Sequence, residues 1–364
     1  MYLTNEHKLV LLGGRMSNVD MDGIKGLIDT SLDWFKVIEC AHKNKVLFLL
    51  YKNLVNGGFK NQVPKAISSL VEDSLACNII RNNEKLAEMK KIQSDMYQAG
   101  ILFAPVKGGY MIDNVYHDRG IRTTNDIDAL IRRQDVGRVH EVMRSNGYIC
   151  GEYCSETNSI VEPDKIKKVL YKTKMYNLLP YVKLCDGIPN RAVIFDLSFA
   201  LDFSLDTDPV NEMLACAALD KNGLELQPEH FFVHMCCHHY REASNVAWIL
   251  IGKDLTLMKF CDVREFLVQK MTNSTIEKAI EFAKKHKLEK AIYFTVYFLR
   301  EIFSDGYETG ILESLDIEDK TFLFQFGEKD YGKAVERKKD FWKSLFDNNN
   351  LDEITVPPKF QELV

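Results

Sequence analysis

Two aspartates, Asp126 and Asp128, stand one residue apart in the apolar stretch 125–131, NDIDALI. Side chains two positions apart on a strand point to the same side, so both carboxylates would project together while Ile127 turns toward the core. Such carboxylates repel each other unless they share a proton or a cation. Mg²⁺ prefers a few carboxylate oxygens completed by substrate phosphates. The spacing therefore predicts a metal site that carries a nucleotide.

A third acid, Asp196, stands alone in a second apolar stretch, VIFDLSF. If this stretch forms a neighbouring strand, Asp196 would complete the carboxylate set of the first two acids. Three carboxylates can hold two Mg²⁺ ions, and such a pair stabilises the attacking and leaving oxygens of an in-line displacement. The sequence thus favours Asp126, Asp128 and Asp196 as metal ligands.

Upstream of the acids, a strand-like segment leads into the turn Lys107-Gly108-Gly109 and a possible helix. Glycines allow backbone amides to approach an anion, and the start of a helix favours phosphate. Lys107 would add a positive charge. The same residues are also compatible with a tight turn and a surface lysine.

The elements that must position these residues follow from hydrophobic periodicity. Residues 1–100 are predicted to be helical, and 65–100 forms either one long helix or two. Residues 101–205 alternate short strands and helices, with a hairpin over 173–201. Residues 206–350 are predicted to be helical again, and 351–364 to be a tail. This order predicts an α+β fold with a small mixed-sheet core between two helical regions.

Two further segments carry chemistry-bearing side chains. The segment 230–242 places His230, His234 and His238 at intervals of four residues, which suits zinc. However, it contains no H-E-x-x-H, so a core helix with a hydrogen-bonded His238 is favoured, and metal binding by His234 and His238 stays open. The basic run at 165–174, KIKKVLYKTK, is interpreted as a solvated face, with Lys172 or Lys174 available to an anionic acceptor.

Composition narrows the function classes. The 364 residues favour two or three domains, and the net charge of −5 with a pI near 6.0 makes a broad nucleic-acid surface unlikely. No apolar run has the length of a membrane span, and the N-terminus lacks the pattern of a signal peptide. The nine scattered cysteines indicate reduced thiols. Together these features predict a cytoplasmic protein without a membrane partner.

The segment 105–131, PVKGGYMIDNVYHDRGIRTTNDIDALI, resembles the DNA polymerase β-like nucleotidyltransferase superfamily, and more closely its uncharacterised nucleotidyltransferase proteins. The likeness spans roughly residues 30–300, and its most specific part is the Asp-x-Asp segment. Two features depart from the usual pattern. The gap between Gly109 and Asp126 is long, and Ser198-Phe199 stands where His-Trp is common.

The resemblance implies transfer of a nucleoside monophosphate from an NTP, by default ATP, with release of pyrophosphate. Asp126 and Asp128 would hold two Mg²⁺ ions. Asp196 would bind one ion and help to deprotonate the acceptor. The remaining site residues would contact phosphate, namely Lys107, Gly108, Gly109 and Arg122.

The acceptor is left open between a small metabolite, a sugar and a peptide or protein side chain. A catalytically silent nucleotide-binding protein of the same fold is one alternative. A zinc protein using the histidine helix is another, and a tRNA-tailing enzyme is made less likely by the acidic charge. The motifs GxGxxG, GxxxxGK[ST] and GxSxG are absent, which argues against dehydrogenase, P-loop and hydrolase readings.

Overall fold

The computed structural model describes residues 2–185, 187, 190–220 and 223–347. The predicted tail at 351–364 lies outside these residues. Two compact units form. One combines the residues up to Val71 with those from Phe232 onward, and the other is Glu72–Phe231. The domain boundaries predicted after residues 100 and 205 stay predictions.

Most of the described chain is helical. The α-helices are, in chain order, α1 Asn5–Gly13, α2 Met21–Ile28, α3 Trp34–Lys43, α4 Leu47–Asn56, α5 Lys65–Gln98, α6 Lys107–Met111, α7 Val136–Ser145, α8 Lys165–Lys174, α9 Asp208–Cys216, α10 Pro228–Ala243, α11 Val246–Leu250, α12 Leu257–Lys270, α13 Asn273–His286, α14 Glu289–Ile302, α15 Glu308–Leu315, α16 Glu328–Tyr331 and α17 Phe341–Phe346. Among the described residues, no helix is both long and apolar enough to cross a membrane.

The strands are short. They are, in chain order, β1 Phe103–Val106, β2 Ile127–Ile131, β3 Ile149–Cys150, β4 Glu152–Cys154, β5 Ser159–Val161, β6 Tyr181–Leu184, β7 Ala192–Ser198, β8 Ala218–Asp220, β9 Gly223–Glu225, β10 Gln325–Phe326 and β11 Val335–Glu336. Five of them form one sheet in the order β1-β2-β7-β6-β3, and the other six form three two-stranded sheets.

The five-stranded sheet is mixed. β2 and β7 run parallel, while β1 with β2, β6 with β7 and β3 with β6 are antiparallel. The fold class predicted from the sequence is therefore confirmed: a small mixed sheet lies between helical segments of the chain. The hairpin prediction is also correct for β6 and β7. Its first strand is shorter than expected, because α8 extends to Lys174 and Pro180 has no amide to donate.

The core of the unit Glu72–Phe231 lies on one face of this sheet. Strand residues alternate, so one set of side chains from β2 and β7 is buried in the core while the other set faces the opposite side. The set in the core is Ile127, Ala129, Ile131, Val193, Phe195 and Leu197. Apolar residues of α5 and α7 pack against it, and the predicted long helical segment is a single helix, α5.

The other unit packs residues from the N-terminal part of the chain against residues from its C-terminal part. Asn44, fully buried after α3, accepts a hydrogen bond from the amide of Leu257 at 2.9 Å and donates to the carbonyl of Leu345 at 3.3 Å. A buried ion pair between Arg264 and Glu265 lies in the same unit. Such partners satisfy helix ends and buried charges that would otherwise be costly.

Candidate active site

The three acids singled out from the sequence lie together. In the parallel pair of β2 and β7, Asp128 is in register with Asp196. Asp126 comes just before β2 and two positions before Asp128, so it belongs to the same side of the strand. One carboxylate oxygen from each residue lies within 4.8 Å of the others. In the described part of the chain, this is the one cluster of three His, Cys, Asp or Glu side chains close enough to share a metal ion.

Asp128 is the central and most buried acid, at 6% exposure. Burial raises the pKa of Asp128 to about 7, and the carboxylates of Asp126 and Asp196 act in the same direction. The amine of Lys107 opposes this shift through an ion pair, with Nζ 2.6 Å from Oδ1 of Asp128. The site thus concentrates negative charge that one lysine only partly offsets.

Lys107 occupies the point where β1 ends and α6 begins. Val106, the last residue of β1, is in register with Asp128, so the next side chain starts beside that acid. Lys107 has a φ of +51°, a left-handed conformation that costs a non-glycine residue about 1–2 kcal/mol. Such strain is often found at functional sites. Here it accompanies the turn that brings the amine to the carboxylate.

The two glycines after Lys107 face different neighbours. A Cβ added to Gly108 would lie 2.2 Å from Nη1 of Arg122 and 2.7 Å from Oγ1 of Thr124. A Cβ on Gly109 would instead lie 2.8 Å from Sδ of Met89, in the core contact with α5. Gly108 in α6 and Arg122 in the segment before β2 are therefore neighbours, whereas Gly109 allows close packing of α6 on α5.

Helix α5 fixes the long segment between the glycine turn and the acid pair. Asn78 donates to the carbonyl of Gly120 at 2.7 Å, and Asn82 donates to those of Arg119 and Arg122 at 2.7 and 2.8 Å. These contacts hold the backbone that carries Arg122. The long segment between Gly109 and Asp126 is thus fixed in place by hydrogen bonds from α5.

Lys85, also on α5, is a second buried amine, and it is not among the site residues predicted from the sequence. It is 5% exposed and donates to the carbonyl of Thr124. Burial lowers the pKa of Lys85 to about 8, and the carboxylate of Asp126 opposes that shift. Asn78, Asn82 and Lys85 recur at helical spacing, and polar residues in such a stripe are the signal that could have identified them.

Asp196 has its own supporting residue. Nδ2 of Asn177 donates to Oδ1 of Asp196 at 2.8 Å, and Asn177 is itself buried at 6% exposure. Asn177 forms an isolated bridge with Ser198 on β7, which fixes the amide beside the strand. Burial and the Asp196 carboxylate raise the pKa of Tyr171, on α8, to about 12. Neither residue was selected from the sequence.

The histidine helix is a packing element in this structure. Phe231, Met235 and Cys236 of α10 are buried, as expected for a core helix. Nδ1 of His238 lies 2.9 Å from Nη2 of Arg241, and its Nε2 lies 3.4 Å from Glu242. Within the described residues, no three metal-ligating side chains meet on this helix.

The donor set at the acid cluster suits a hard divalent cation. The set consists of three carboxylates, without an imidazole or a thiolate. Carboxylate oxygens are the ligands that Mg²⁺ prefers, whereas imidazole and thiolate ligands favour Zn²⁺. Burial is the main cause of the raised pKa of Asp128, and the carboxylates of Asp126 and Asp196 add to it, so a bound cation would favour its ionised form. Nearby amines of Lys107 and Lys85 add positive charge for an anionic ligand.

A family model described as an uncharacterised nucleotidyltransferase matches residues 30–304 of this chain. The match covers more than half of the 364 residues and includes the whole acid cluster. No curated protein and no solved structure matches the chain significantly.

Proposed function

The chain belongs to this family of uncharacterised nucleotidyltransferases, and on that premise we propose that it transfers a nucleoside monophosphate from an NTP to an acceptor hydroxyl. The observation that carries the proposal is the meeting of Asp126, Asp128 and Asp196 within 4.8 Å, beside the turn that bears Lys107. An acid cluster next to a cationic, glycine-containing turn suits a substrate that combines phosphates with divalent metal.

In the proposed reaction, the acceptor oxygen forms a bond to the α-phosphorus of the NTP. The bond from that phosphorus to the oxygen bridging to the β-phosphate breaks, and pyrophosphate leaves. The proton of the acceptor hydroxyl passes to Asp196, which Asn177 orients. ATP is the default donor, and the acceptor is a small molecule, a sugar or a protein side chain.

Asp126, Asp128 and Asp196 would hold two Mg²⁺ ions. When bound, these ions supply positive charge that stabilises the attacking and leaving oxygens. Lys107, Gly108, Gly109 and Arg122 are proposed to contact the phosphates. Among them, Gly108 and Arg122 are the best placed to act together, because they are direct neighbours. Positive side chains at this turn favour a bound triphosphate over water.

Thermal unfolding tests this assignment. A ligand that binds only the native state raises the midpoint by mass action. We expect one NTP to raise the midpoint of the wild type only with Mg²⁺, and the double variant Asp126→Asn/Asp128→Asn to lose that shift. Asp135→Asn is the matched control, since Asp135 is also a buried acid of this unit but pairs with Arg138. An equal shift in the double variant, or none in the wild type with any NTP, would refute the proposal.

A further inference from the structure

Helix α8, Lys165–Lys174, carries an apolar stripe that faces solvent. Ile166 is 81% exposed, Val169 60% and Leu170 46%, and no residue of the helix is buried. The spacing of these residues, i, i+3 and i+4, places them on one side of the helix. Such a stripe normally faces the core of a protein. In α8 the apolar stripe is not covered by any described residue of the chain.

The helix is held through its opposite side. At 100° per residue, Tyr171 lies roughly opposite the apolar stripe, and it is partly buried. Lys167, on the same inner side, pairs with Glu152 of β4. Asp164 accepts from the amide of Lys167 at 2.7 Å and caps the helix. The contacts that fix α8 therefore leave its apolar stripe free.

Lysines surround the stripe. The ten residues KIKKVLYKTK contain five lysines and no acid, in a chain whose net charge is −5. Lys168 pairs with Glu162. Lys165, Lys172 and Lys174 have no ion-pair partner within the described residues. The surface thus combines an aliphatic centre with a basic rim.

We propose that α8 is a docking surface for a second protein that presents an apolar helical stripe flanked by aspartates and glutamates. Apolar anchors at i, i+3 and i+4 are the pattern by which helices bind one another in grooves and seams. Basic residues at the rim select acidic partners and speed their association. The inference concerns binding and holds whether or not the protein transfers nucleotide.

Other occupants fit this surface less well. Proteins that bind single-stranded nucleic acid stack bases on exposed aromatic side chains, whereas the outward centre here is Ile166, Val169 and Leu170. Helices that lie on membranes bury Trp, Phe and Leu in the lipid, whereas the apolar stripe of α8 has two β-branched residues, a single leucine and no Trp or Phe.

Peptide selection on the full chain tests the proposal. A displayed random-peptide library is selected on the wild type, with counter-selection on Ile166→Ser/Val169→Ser/Leu170→Ser. We expect enriched peptides with apolar residues at i, i+3 and i+4 flanked by acids. Their synthetic versions should bind the triple variant at least about tenfold more weakly. Lys172→Glu should also weaken binding, and Lys278→Glu, at an exposed lysine of α13, should not.

Three results would overturn the assignment. The first is that no peptide distinguishes the wild type from a triple variant whose unfolding midpoint and circular dichroism match the wild type. The second is that tRNA or phosphatidylserine vesicles, and not peptides, lose binding in the triple variant. The third is self-association of the wild type in sedimentation that the triple variant lacks, which would make a second copy the occupant.

Discussion

The Nζ atom of Lys107 lies 2.6 Å from Oδ1 of Asp128. Both side chains are largely shielded from water, and Asp128 is in register with Asp196 on the adjacent strand. The amine thus pairs with an oxygen atom that is proposed to bind metal. A buried carboxylate without a cation is costly, so this ion pair stabilises the metal-free site. The amine and a divalent ion would therefore compete for Oδ1 of Asp128.

This competition predicts the behaviour of Lys107→Met. At pH 8, removal of one positive charge should tighten Mn²⁺ binding in the absence of nucleotide by about tenfold, or about 1.4 kcal/mol. Calorimetric titration measures this directly. The same variant should show a smaller NTP-dependent rise in the unfolding midpoint, because Lys107 is proposed to contact phosphate.

Lys90→Met is the matched control, since Lys90 pairs with Asp113 on the surface of the same unit. It should leave Mn²⁺ affinity unchanged. If Lys107→Met binds Mn²⁺ no better than wild type, the amine does not compete with metal at Asp128.

Asp128 predicts how metal-free stability depends on pH. Its pKa is about 7 in the folded protein, above the ordinary value near 3.8, so the folded state holds a proton that the unfolded chain loses. This contribution to stability is full below about pH 4 and is lost as pH rises to about 7. The unfolding midpoint in EDTA should therefore carry a component that falls over this range.

A bound divalent ion should remove the pH-dependent part of the unfolding midpoint that comes from Asp128. Because the ion binds the ionised carboxylate, the affinity of the site for the ion should rise with pH until about pH 7 and then level off. Asp128→Asn in EDTA should lack the component, and the difference between the two pH profiles isolates it. Parallel profiles of wild type and Asp128→Asn would contradict the raised pKa.

We expect a change at Asn177 to affect catalysis more than nucleotide binding. Its amide orients Asp196 at 2.8 Å, and Asp196 is the proposed proton acceptor. Asn177→Ala should lower the rate of pyrophosphate release by about 10²-fold, with a smaller effect on the NTP-dependent midpoint shift. Asn190→Ala is the control, because Asn190 is equally buried but donates to Arg81 and Glu84.

The two asparagine variants share the stability cost of a lost buried hydrogen bond, about 1–3 kcal/mol. A structural role alone would therefore lower their midpoints alike and leave the turnover of both folded proteins near wild type. Equal turnover in Asn177→Ala and Asn190→Ala would show that Asn177 does not orient Asp196 for catalysis.

Local patterns were sufficient to select three acids that lie together in the structure. Alternation on one strand places Asp126 and Asp128 on the same side, and a lone charge in an apolar stretch identifies Asp196. The mixed sheet followed from the same patterns. These features depend on residues near one another in sequence, where the periodicity of a strand or helix determines the direction of each side chain.

Contacts between distant segments could not be found in that way. The register that sets Asp128 opposite Asp196 depends on strand pairing across the intervening chain. The hydrogen bonds from Asn78 and Asn82 to the backbone of residues 119–122 depend on where α5 packs. Gly109 was predicted to contact phosphate together with Gly108, yet in the structure its Cα hydrogens face Met89 of α5. Its role in binding phosphate through the backbone stays a prediction.

We expect different phenotypes from the two adjacent glycines. In Gly108→Ala, the new methyl group would displace the Arg122 guanidinium, which is the mobile end of a partly exposed side chain, and would press on Oγ1 of Thr124. The unfolding midpoint without ligand should fall, and the NTP-dependent shift should be lost. In Gly109→Ala, the methyl group meets Met89 in the core, and overpacking should destabilise the fold by about 1–3 kcal/mol. Its NTP-dependent shift should persist.

Gly137→Ala in α7 is the control for the change of residue itself. An added Cβ there has nothing within 4 Å, so the variant should gain up to about 1 kcal/mol from helix propensity and keep the NTP-dependent shift. Thermal unfolding of all three variants with and without Mg²⁺ and NTP gives both quantities in one experiment. Loss of the shift in Gly109→Ala but not in Gly108→Ala would reverse the assignment, and would place the phosphates against Gly109 rather than between Gly108 and Arg122.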